Sequence, residues 1–278
     1  MEFKGKAVAV TGAASGIGME TALAFARRGA RLAVADIDGE RLRLVMRELE
    51  ELGVEAIATV VDVSAAEKVE RWCDEVYGVM GRVDVLCNNA GVGIGGRFED
   101  VTLYDWEWIV GVNLWGVIHG CHYFYPRMIA QGGGGHIVNT ASGAGLAPLP
   151  LMTAYCCTKY AVVGLSETLR AEAALHGIGV SAICPGIVDT PITRAVKLCS
   201  GTDRSTPQEL QDRIVRIYGR RGYTPDRVAA AVVKAGEKNK GVVPVCPETY
   251  AGDWLHRLSR RLNDAGLERS VKLFLRRL

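Results

Sequence analysis

Tyr155 and Lys159 lie four residues apart, and they are the pair in this sequence best suited to moving a proton. In a helix this spacing places both side chains on one face, one turn apart. A phenol titrates at about pH 10, and a neighbouring ammonium group favours the phenolate. The pair therefore predicts an acid/base device that exchanges a proton with a hydroxyl group. The same spacing also occurs in helices without a catalytic role, so the rest of the chain decides the interpretation.

A glycine-rich segment, residues 11–18, follows the first apolar run and precedes the first helical stretch. Glycines here allow a tight turn that approaches a phosphate closely, and free N–H groups at the helix start bind the anion. The spacing is G-x-x-x-G-x-G rather than the commoner G-x-G-x-x-G. The segment predicts a dinucleotide site, with an ordinary strand–helix turn as the alternative. Its contact residues are Gly12, Ser15, Gly16, Ile17 and Gly18.

Asp36 closes the second apolar run, 18 residues after Gly18. An acidic residue near this spacing hydrogen-bonds the ribose hydroxyls of a dinucleotide and repels a 2′-phosphate. Ser15, Ile17 and Ile37 supply no positive charge for such a phosphate. The pattern favours NAD(H) over NADP(H), and a solvated aspartate at a strand end is the alternative.

Short apolar runs alternate with longer helical segments along most of the chain. The runs predict strands at residues 7–10, 32–35, 56–61, 83–87, 136–140 and 180–184, with a last short strand at 241–245. Helices are predicted near residues 40–52, 65–80, 103–129 and 154–176, after a first helix that ends at residue 28. Further helix starts are predicted at Thr206 and Thr224, each followed by Pro. This alternation predicts an α/β fold with a parallel sheet and helices on both faces.

The composition excludes several classes of protein. Hydrophobic residues make up 49% and charged residues 23%, and the net charge of +2 provides no basic field for a nucleic-acid partner. The eight cysteines show no CxxC pair or Cys/His cluster with zinc spacing, which predicts reduced thiols, no metal site and a cytoplasmic protein. The chain has no apolar signal segment and no apolar run long enough to span a membrane.

Further motifs join the residues above: Asp62-Val63, Asn88–Gly91, Asn113, Ser142 and the segment 185–190. Their order and spacing resemble the short-chain dehydrogenase/reductase family over about residues 5–250. The resemblance implies one Rossmann-type, doubly wound domain over residues 1–250, whose seven-stranded sheet binds NAD(P) at the carboxyl ends of its strands. Residues 251–278 are a C-terminal extension beyond this domain.

The resemblance also implies which residues bind the cofactor. Asp62 and Val63 lie beside the adenine, and the segment 89–91 holds the adenosine ribose. The segment 185–190 lines the nicotinamide end. The implied contacts are Asp62, Val63, Asn89, Ala90, Gly91, Tyr155, Lys159, Pro185, Gly186, Val188 and Thr190.

Four residues carry the chemistry that the resemblance implies. Tyr155 exchanges the proton of the substrate hydroxyl, and Lys159 favours the phenolate and binds the nicotinamide ribose. Ser142 binds the substrate oxygen. Asn113 holds a water molecule that links Lys159 to solvent, and it bends its helix. The implied activity is the NAD-dependent interconversion of a secondary alcohol and a ketone.

Three segments, residues 93–98, 143–153 and 191–222, are expected to surround the substrate. Their side chains are mostly apolar, which favours a hydrophobic lipid-, terpenoid- or steroid-like substrate; the residues are Ile94, Phe98, Leu146, Leu149, Leu151, Met152, Ile192 and Val196. A non-catalytic NAD-binding sensor or scaffold of the same fold is the alternative function. The presence of Ser142, Tyr155 and Lys159 together favours the enzyme, because a binding module does not need all three.

Two regions are expected to contact partners. Members of the family pair the helices predicted at 103–129 and 154–176 between subunits, which implies a homodimer or homotetramer; Trp106, Trp108 and Trp115 are expected in the core or at this contact. In the C-terminal extension, Trp254, Leu255 and Leu258 recur at helical spacing among arginines. This basic amphipathic segment is expected to dock on a neighbouring subunit or the substrate loop, with peripheral contact to an anionic membrane as the alternative.

Overall fold

Parallel strands form the centre of the computed structural model, which describes residues 2–199, 223–258 and 266–267. Most strands of the main sheet are short and fully or largely buried, as their apolar runs predict, whereas the edge strand Ala56–Val60 is partly exposed. The described residues contain nine strands: β1 (Ala7–Thr11), β2 (Arg31–Asp36), β3 (Ala56–Val60), β4 (Val85–Asn88), β5 (Ile94–Gly95), β6 (Gly135–Thr140), β7 (Ile178–Cys184), β8 (Lys197–Leu198) and β9 (Val242–Pro244).

Seven of these strands form one sheet in the order β3-β2-β1-β4-β6-β7-β9, and every neighbouring pair is parallel. Val8 of β1 lies opposite Leu32 of β2 on one side and Val85 of β4 on the other. The strand order reverses direction between β1 and β4, which opens a crevice at the carboxyl ends of these strands. The doubly wound α/β fold is confirmed, and in such sheets the crevice at the reversal is the usual place for a ligand.

The helices connect successive strands and cover both faces of the sheet. Local signals start several of them: Asp38 caps one helix, and Thr102 and Asp105 form a capping box at another. The helices are α1 (Gly16–Ala26), α2 (Gly39–Glu51), α3 (Ala66–Met80), α4 (Leu103–Val110), α5 (Gly116–Gln131), α6 (Thr153–Ala173), α7 (Pro191–Arg194), α8 (Pro225–Lys238) and α9 (Pro247–Leu258). The helix start predicted at Thr224 is confirmed, and the one predicted at Thr206 lies outside the described residues.

Two apolar clusters sandwich the sheet. Trp72 of α3 and Phe124 of α5 pack together on one face, with ring centroids 5.1 Å apart. Phe25 of α1 and Val228 of α8 belong to the cluster on the other face. Because both faces are covered, the central strands can be apolar along their whole length. None of the described helices combines the length and the apolar character that a membrane span requires.

Two features differ from the predicted elements. The helix predicted over residues 103–129 is continuous but contains one wide π-helical turn, Gly111–Trp115, between α4 and α5. Strands β5 and β8 form a separate two-stranded parallel sheet that was not predicted, because two residues carry no readable periodicity. Helix α9 crosses the predicted boundary between residues 250 and 251, and the division into domain and extension stays a prediction.

Candidate active site

The glycine-rich turn lies at the crevice, between β1 and α1. Gly12 and Gly16 have φ angles of +66° and +54°, a left-handed conformation that favours glycine. A Cβ on Gly18 would lie 2.0 Å from the Gly12 carbonyl oxygen and 2.5 Å from Asn89 Nδ2. A larger residue at position 18 therefore cannot fit without displacing the turn. Ser15 and Ile17 lie between these glycines at the start of α1.

The Asp36 carboxylate is fixed beside this turn by two backbone amides. Its Oδ2 accepts a hydrogen bond from Ala14 N–H at 2.9 Å, and its Oδ1 accepts one from Asp38 N–H at 3.0 Å. The structure thus brings together the turn and the acidic residue that the sequence pairs by spacing. Arg41 lines a cavity of about 450 Å³ with Ser15 and Gly16. A cation therefore lies near the glycine-rich turn.

The ends of β1, β4 and β6 are tied together at the crevice. Thr11 Oγ1 accepts hydrogen bonds from the N–H groups of Asn89 (3.0 Å) and Ala90 (3.2 Å). Asn89 Nδ2 donates to the carbonyls of Thr11 and Gly12, and its Oδ1 accepts from Thr140 Oγ1 at 3.2 Å. The segment 89–91 is thereby held against the glycine-rich turn, as a shared cofactor site requires.

Asp62 and Val63 follow β3 on the same side of the sheet. Asp62 Oδ1 accepts hydrogen bonds from the N–H and hydroxyl of Ser64, at 3.0 and 2.6 Å. The Val63 carbonyl lies 2.9 Å from His119 Nδ1, and the Val63 side chain would lie 2.7 Å from a Cβ on Gly116. These contacts fix the segment against α5, and its predicted place beside an adenine stays a prediction.

Asn113 lies in the π-helical turn and is fully buried. Its side chain pairs with the backbone of Val92: Oδ1 accepts from Val92 N–H at 2.7 Å, and Nδ2 donates to Val92 O at 2.9 Å. A Cβ on Gly91 would lie 3.3 Å from Asn113 Oδ1 and 3.6 Å from Lys159 Nζ. Asn113, Gly91 and Lys159 therefore converge at the end of β4. π-Helical turns occur frequently at functional sites.

Tyr155 and Lys159 both lie on α6, and the expected shared face is observed. Lys159 Nζ lies 5.7 Å from the centroid of the Tyr155 ring and donates a hydrogen bond to Thr140 O at 2.9 Å. The Lys159 side chain is buried, and this burial lowers its pKa to about 8. A buried cation beside a phenol is an arrangement that handles protons near neutral pH.

Ser142 follows β6, and its backbone is extended. Its Oγ accepts a hydrogen bond from Ala144 N–H at 3.1 Å, which leaves the hydroxyl hydrogen able to donate to a substrate oxygen. The next residue, Gly143, donates its N–H to Pro185 O at 2.7 Å. This bond joins the Ser142 turn to the segment after β7.

Residues 185–190 form the turn between β7 and α7. Thr190 precedes the first residue of α7, and its methyl carbon would lie 3.4 Å from a Cβ on Gly16, so this turn meets the glycine-rich turn. Gly186 N–H donates to Cys246 Sγ at 3.2 Å, and Ile187 N–H donates to Glu248 Oε1 at 3.0 Å. The sequence analysis did not identify Cys246 or Glu248, because nothing local signals a contact about 60 residues away.

Three segments meet at the two-stranded sheet. Lys197 N–H and Cys199 N–H donate to the carbonyls of Gly93 and Gly95, both at 2.9 Å, and Gly96 N–H donates to Leu151 O at 2.8 Å. Of the expected apolar lining residues, Ile94 and Leu146 are buried, Leu151, Met152, Ile192 and Val196 are partly buried, and Phe98 and Leu149 are exposed. The structure therefore brings the predicted substrate segments together where they are described.

An ion pair also anchors this region. Lys197 Nζ lies 2.5 Å from Oδ1 of Asp105, whose other oxygen accepts from the N–H and hydroxyl of Thr102. The contact with Lys197 contributes most, followed by the one with Thr102, and together they lower the pKa of Asp105 to about 2. The pair connects β8 to the start of α4, and neither residue was identified from the sequence.

The described histidines and acidic groups do not cluster for a metal ion. Within the part of the chain that the structure describes, no three His, Cys, Asp or Glu side chains are placed to bind one. His136 Nε2 instead lies 2.7 Å from Ser181 Oγ, and burial lowers the pKa of this imidazole to about 4. His136 is a buried structural residue.

Comparison with known proteins identifies related sequences over most of the chain. The family model described as short chain dehydrogenase matches residues 6–198. The chain is 43% identical over 259 residues to a protein named probable oxidoreductase EphD from Mycobacterium tuberculosis; the match covers 93% of this chain and only 43% of that relative. A C alpha-dehydrogenase from a Sphingobium species is 36% identical over 255 residues, which are 90% of this chain and 84% of the relative.

Solved structures have the same fold. A short chain dehydrogenase/reductase from Burkholderia phymatum, in complex with NAD, superimposes with a TM-score of 0.86 and 36% identity, covering 94% of this chain and 96% of that one. An alcohol dehydrogenase from Thermococcus sibiricus, complexed with 5-hydroxy-NADP, superimposes with a TM-score of 0.72 and 30% identity, covering 87% and 95%. The two neighbours thus hold different nicotinamide dinucleotides.

Proposed function

This chain belongs to the short chain dehydrogenase family, and we propose that it interconverts a secondary alcohol and a ketone with NAD(H) as its cofactor. The observation that carries the proposal is the placement of Lys159, a buried cation 5.7 Å from the Tyr155 ring on the same helix face. A protein that only binds a nucleotide does not need to bear the cost of burying this charge. No comparison supports the alternative of a non-catalytic sensor or scaffold.

The cofactor site fits a dinucleotide. The glycine-rich turn leaves no room for a Cβ on Gly18, and Asn89 packs directly against the turn. The turn packs tightly on the protein side and carries no glycine side chains, so a phosphate can approach the backbone at the start of α1, where helix N–H groups favour anions. When bound, the nicotinamide supplies the acceptor for the hydride that leaves the alcohol carbon.

The preference for NAD over NADP is part of the proposal and rests on Asp36. Its carboxylate, held by Ala14 N–H and Asp38 N–H, can accept hydrogen bonds from ribose hydroxyls and repels a 2′-phosphate. The Burkholderia neighbour holds NAD and the Thermococcus neighbour holds 5-hydroxy-NADP, so the preference rests on Asp36 rather than on the neighbours. Arg41 is the opposing feature, and its ion pair with Asp38, 3.4 Å long, reduces the charge available to a phosphate.

Each catalytic residue has a distinct task in the oxidative direction. The Tyr155 phenolate accepts the hydroxyl proton of the alcohol, and the Lys159 charge favours that phenolate. The Ser142 hydroxyl donates to the substrate oxygen and stabilises the charge that develops there. Asn113 fixes the Val92 backbone beside Lys159 and, as we propose, holds the water that connects Lys159 to solvent.

We propose a hydrophobic alcohol or ketone as the substrate. The segments above Tyr155 present Ile94, Leu146, Leu151, Met152 and Val196, which are buried or partly buried apolar side chains. One relative, 35% identical over 76% of this chain, is named 1-deoxy-11-beta-hydroxypentalenate dehydrogenase, and that name refers to a hydroxylated compound. Turnover confined to small polyols or sugars in a mixed panel of alcohols would contradict a hydrophobic substrate.

Tyr155→Phe tests the reaction directly. We expect the wild-type protein to form NADH with hydrophobic secondary alcohols, and to do so faster with NAD⁺ than with NADP⁺. The Phe variant should lose at least about 100-fold in rate, because general acid/base catalysis contributes about 10²–10⁴, while it still binds NAD⁺ in a calorimetric titration. Equal rates in the two proteins would exclude Tyr155 as the base.

A further inference from the structure

The segment after β9 packs against the turn at residues 185–190, which the family resemblance assigns to the nicotinamide end of the cofactor. This segment, Cys246 to Thr249, begins α9 and lies beyond the part of the chain that the family model matches. Thr249 N–H and Tyr250 N–H donate to Cys246 O at 2.9 and 3.2 Å. The first turn of α9 is therefore closed by its own hydrogen bonds where it meets the 185–190 turn.

The contact between the two segments is close as well as polar. A Cβ on Gly186 would lie 2.6 Å from Glu248 Oε1, 2.8 Å from Thr249 Oγ1 and 2.9 Å from Cys246 Cβ. A Cβ on Gly143, next to Ser142, would lie 3.0 Å from the same Thr249 oxygen. The start of α9 thus supports both the 185–190 turn and the turn that carries Ser142.

Hydrogen bonds hold most amides of the 185–190 turn from this side. Gly186 N–H donates to Cys246 Sγ, and Ile187 N–H donates to Glu248 Oε1. Asp189 N–H donates to Tyr223 O at 3.1 Å, and the Tyr223 hydroxyl donates to Val245 O at 2.9 Å. Among the hydrogen bonds of the described residues, none uses Val188 N–H, so this amide is available to a ligand.

We propose that Glu248 is a positioning residue for the nicotinamide end of the cofactor. Its carboxylate holds the Ile187 amide and thereby sets the backbone so that Val188 N–H can donate to the nicotinamide carboxamide. Glu248 does this through Ile187 and does not itself touch the reacting atoms. The inference rests on the proposed function, since it requires a nicotinamide dinucleotide.

The test compares two ligands that differ at one end. Isothermal titration gives the dissociation constants of NAD⁺ and of ADP-ribose, which lacks the nicotinamide, for the full-length protein. Glu248→Ala should raise the dissociation constant of NAD⁺ about three- to tenfold, because the Ile187 amide loses the hydrogen bond that fixes the turn. The constant for ADP-ribose should stay within about twofold of the wild-type value, because its contacts lie elsewhere.

Two further variants separate positioning from charge. Glu248→Gln keeps an oxygen that accepts from Ile187 N–H, so it should bind NAD⁺ within about twofold of wild type. Asp226→Ala is the control, because Asp226 likewise directly follows the proline that starts a helix, α8, although Asp226 is exposed and Glu248 is partly buried. It removes the same favourable charge from a helix N-terminus and should change neither dissociation constant.

The outcomes are distinct. Three results would overturn the positioning role. Glu248→Ala could raise the dissociation constants of NAD⁺ and ADP-ribose equally, or raise neither of them. Alternatively, Glu248→Gln could bind NAD⁺ as weakly as Glu248→Ala does. If the Ala variant does not fold, Glu248→Asp replaces it, because it withdraws the carboxylate by one methylene and carries the same expectation. A wild-type protein that binds ADP-ribose and NAD⁺ without NADH formation would contradict the proposed function and leave the positioning role measurable. One that binds neither ligand would refute both.

Discussion

At the scale of single residues, the site depends on a lysine that is costly to bury. Burial lowers the pKa of Lys159 from 10.5 to about 8, so the folded protein binds this proton more weakly than the unfolded chain does. Below pH 8 the lysine is charged in both states, and the fold bears the full cost, on the order of 3 kcal/mol. Between about pH 8 and 10.5 the folded state releases the proton first, so the cost declines.

Lys159→Met should therefore abolish turnover and increase stability at neutral pH. The gain is reduced by the lost hydrogen bond to Thr140 O, about 1 kcal/mol, which leaves about 1–2 kcal/mol in favour of the variant at pH 7. The difference in the free energy of unfolding should shrink by pH 9.5, because the wild-type protein no longer has to bury a charged lysine there. Urea unfolding of both proteins at the two pH values measures this, and a Met variant that is less stable at pH 7 would contradict it.

At the scale of elements, glycines determine how closely α5 packs on the sheet. A Cβ on Gly120 would lie 2.0 Å from Asn88 Oδ1 at the end of β4. Asn88 Nδ2 donates to Asn139 Oδ1 at 2.9 Å, and Asn139 Nδ2 donates to Ser166 Oγ at 3.0 Å. This buried chain of hydrogen bonds joins β4, β6 and α6, so it holds the helix of Tyr155 and Lys159 against the sheet.

Gly120→Ala should destabilise the protein by about 1–3 kcal/mol, the usual cost of an added buried methyl group. The clash displaces Asn88 and strains a hydrogen-bond chain that cannot be satisfied by water. Gly78→Ala in α3 is the matched control, because a Cβ there meets nothing within 4 Å. This control should stabilise the protein by about 0.5–1 kcal/mol through helix propensity. Thermal unfolding of both variants tests the pair, and equal shifts would contradict close packing at Gly120.

At the scale of the whole molecule, exposed apolar side chains gather on the helices expected between subunits. Leu103 and Tyr104 at the start of α4 are 81% and 73% exposed, and Trp115 is 50% exposed. Trp106 packs partly against the cluster of Ile94 and Ile109, whereas Trp108 and Trp115 lie outside the core. Such a surface fits the expected homo-oligomer, because large exposed apolar patches mark interaction sites.

Trp115→Glu should reduce the molecular mass in solution from that of a dimer or tetramer to that of a smaller species. The introduced charge would be buried at a symmetric contact and would meet its own copy there. Val79→Glu on α3, where Val79 is 53% exposed, is the control and should leave the mass unchanged. Analytical ultracentrifugation measures both. A wild-type monomer, or an unchanged mass in the Trp115 variant, would count against this interface.

The C-terminal helix presents a second apolar surface. Tyr250, Trp254, Leu255 and Leu258 of α9 are all exposed. Most of residues 259–278 lie outside the described part of the chain. Docking on a subunit and contact with a membrane both stay predictions. Because the start of α9 contacts the 185–190 turn, whatever covers this helix lies within reach of the proposed nicotinamide site.

The sequence by itself determined the features that local chemistry encodes. Buried parallel strands require continuous apolar runs, so the apolar runs predicted the seven-stranded α/β sheet. The glycine-rich turn was predicted as well, because its close contacts leave room only for glycine at position 18. Tyr155 and Lys159 share one helix, so their spacing sufficed to place them on one face. Asp36 was placed by its distance from the same turn.

Only the tertiary structure decided the contacts between distant segments. Ile187 and Glu248 are 61 residues apart, and Lys197 and Asp105 lie in separate elements. Strands β5 and β8 have two residues each and exist only because the sheet and α4 bring their segments together. No local pattern records such pairs, because their energy comes from neighbours that the folded chain supplies. The burial that lowers the pKa of Lys159 is of the same kind, since packing, rather than the residue type, removes water from the ammonium group.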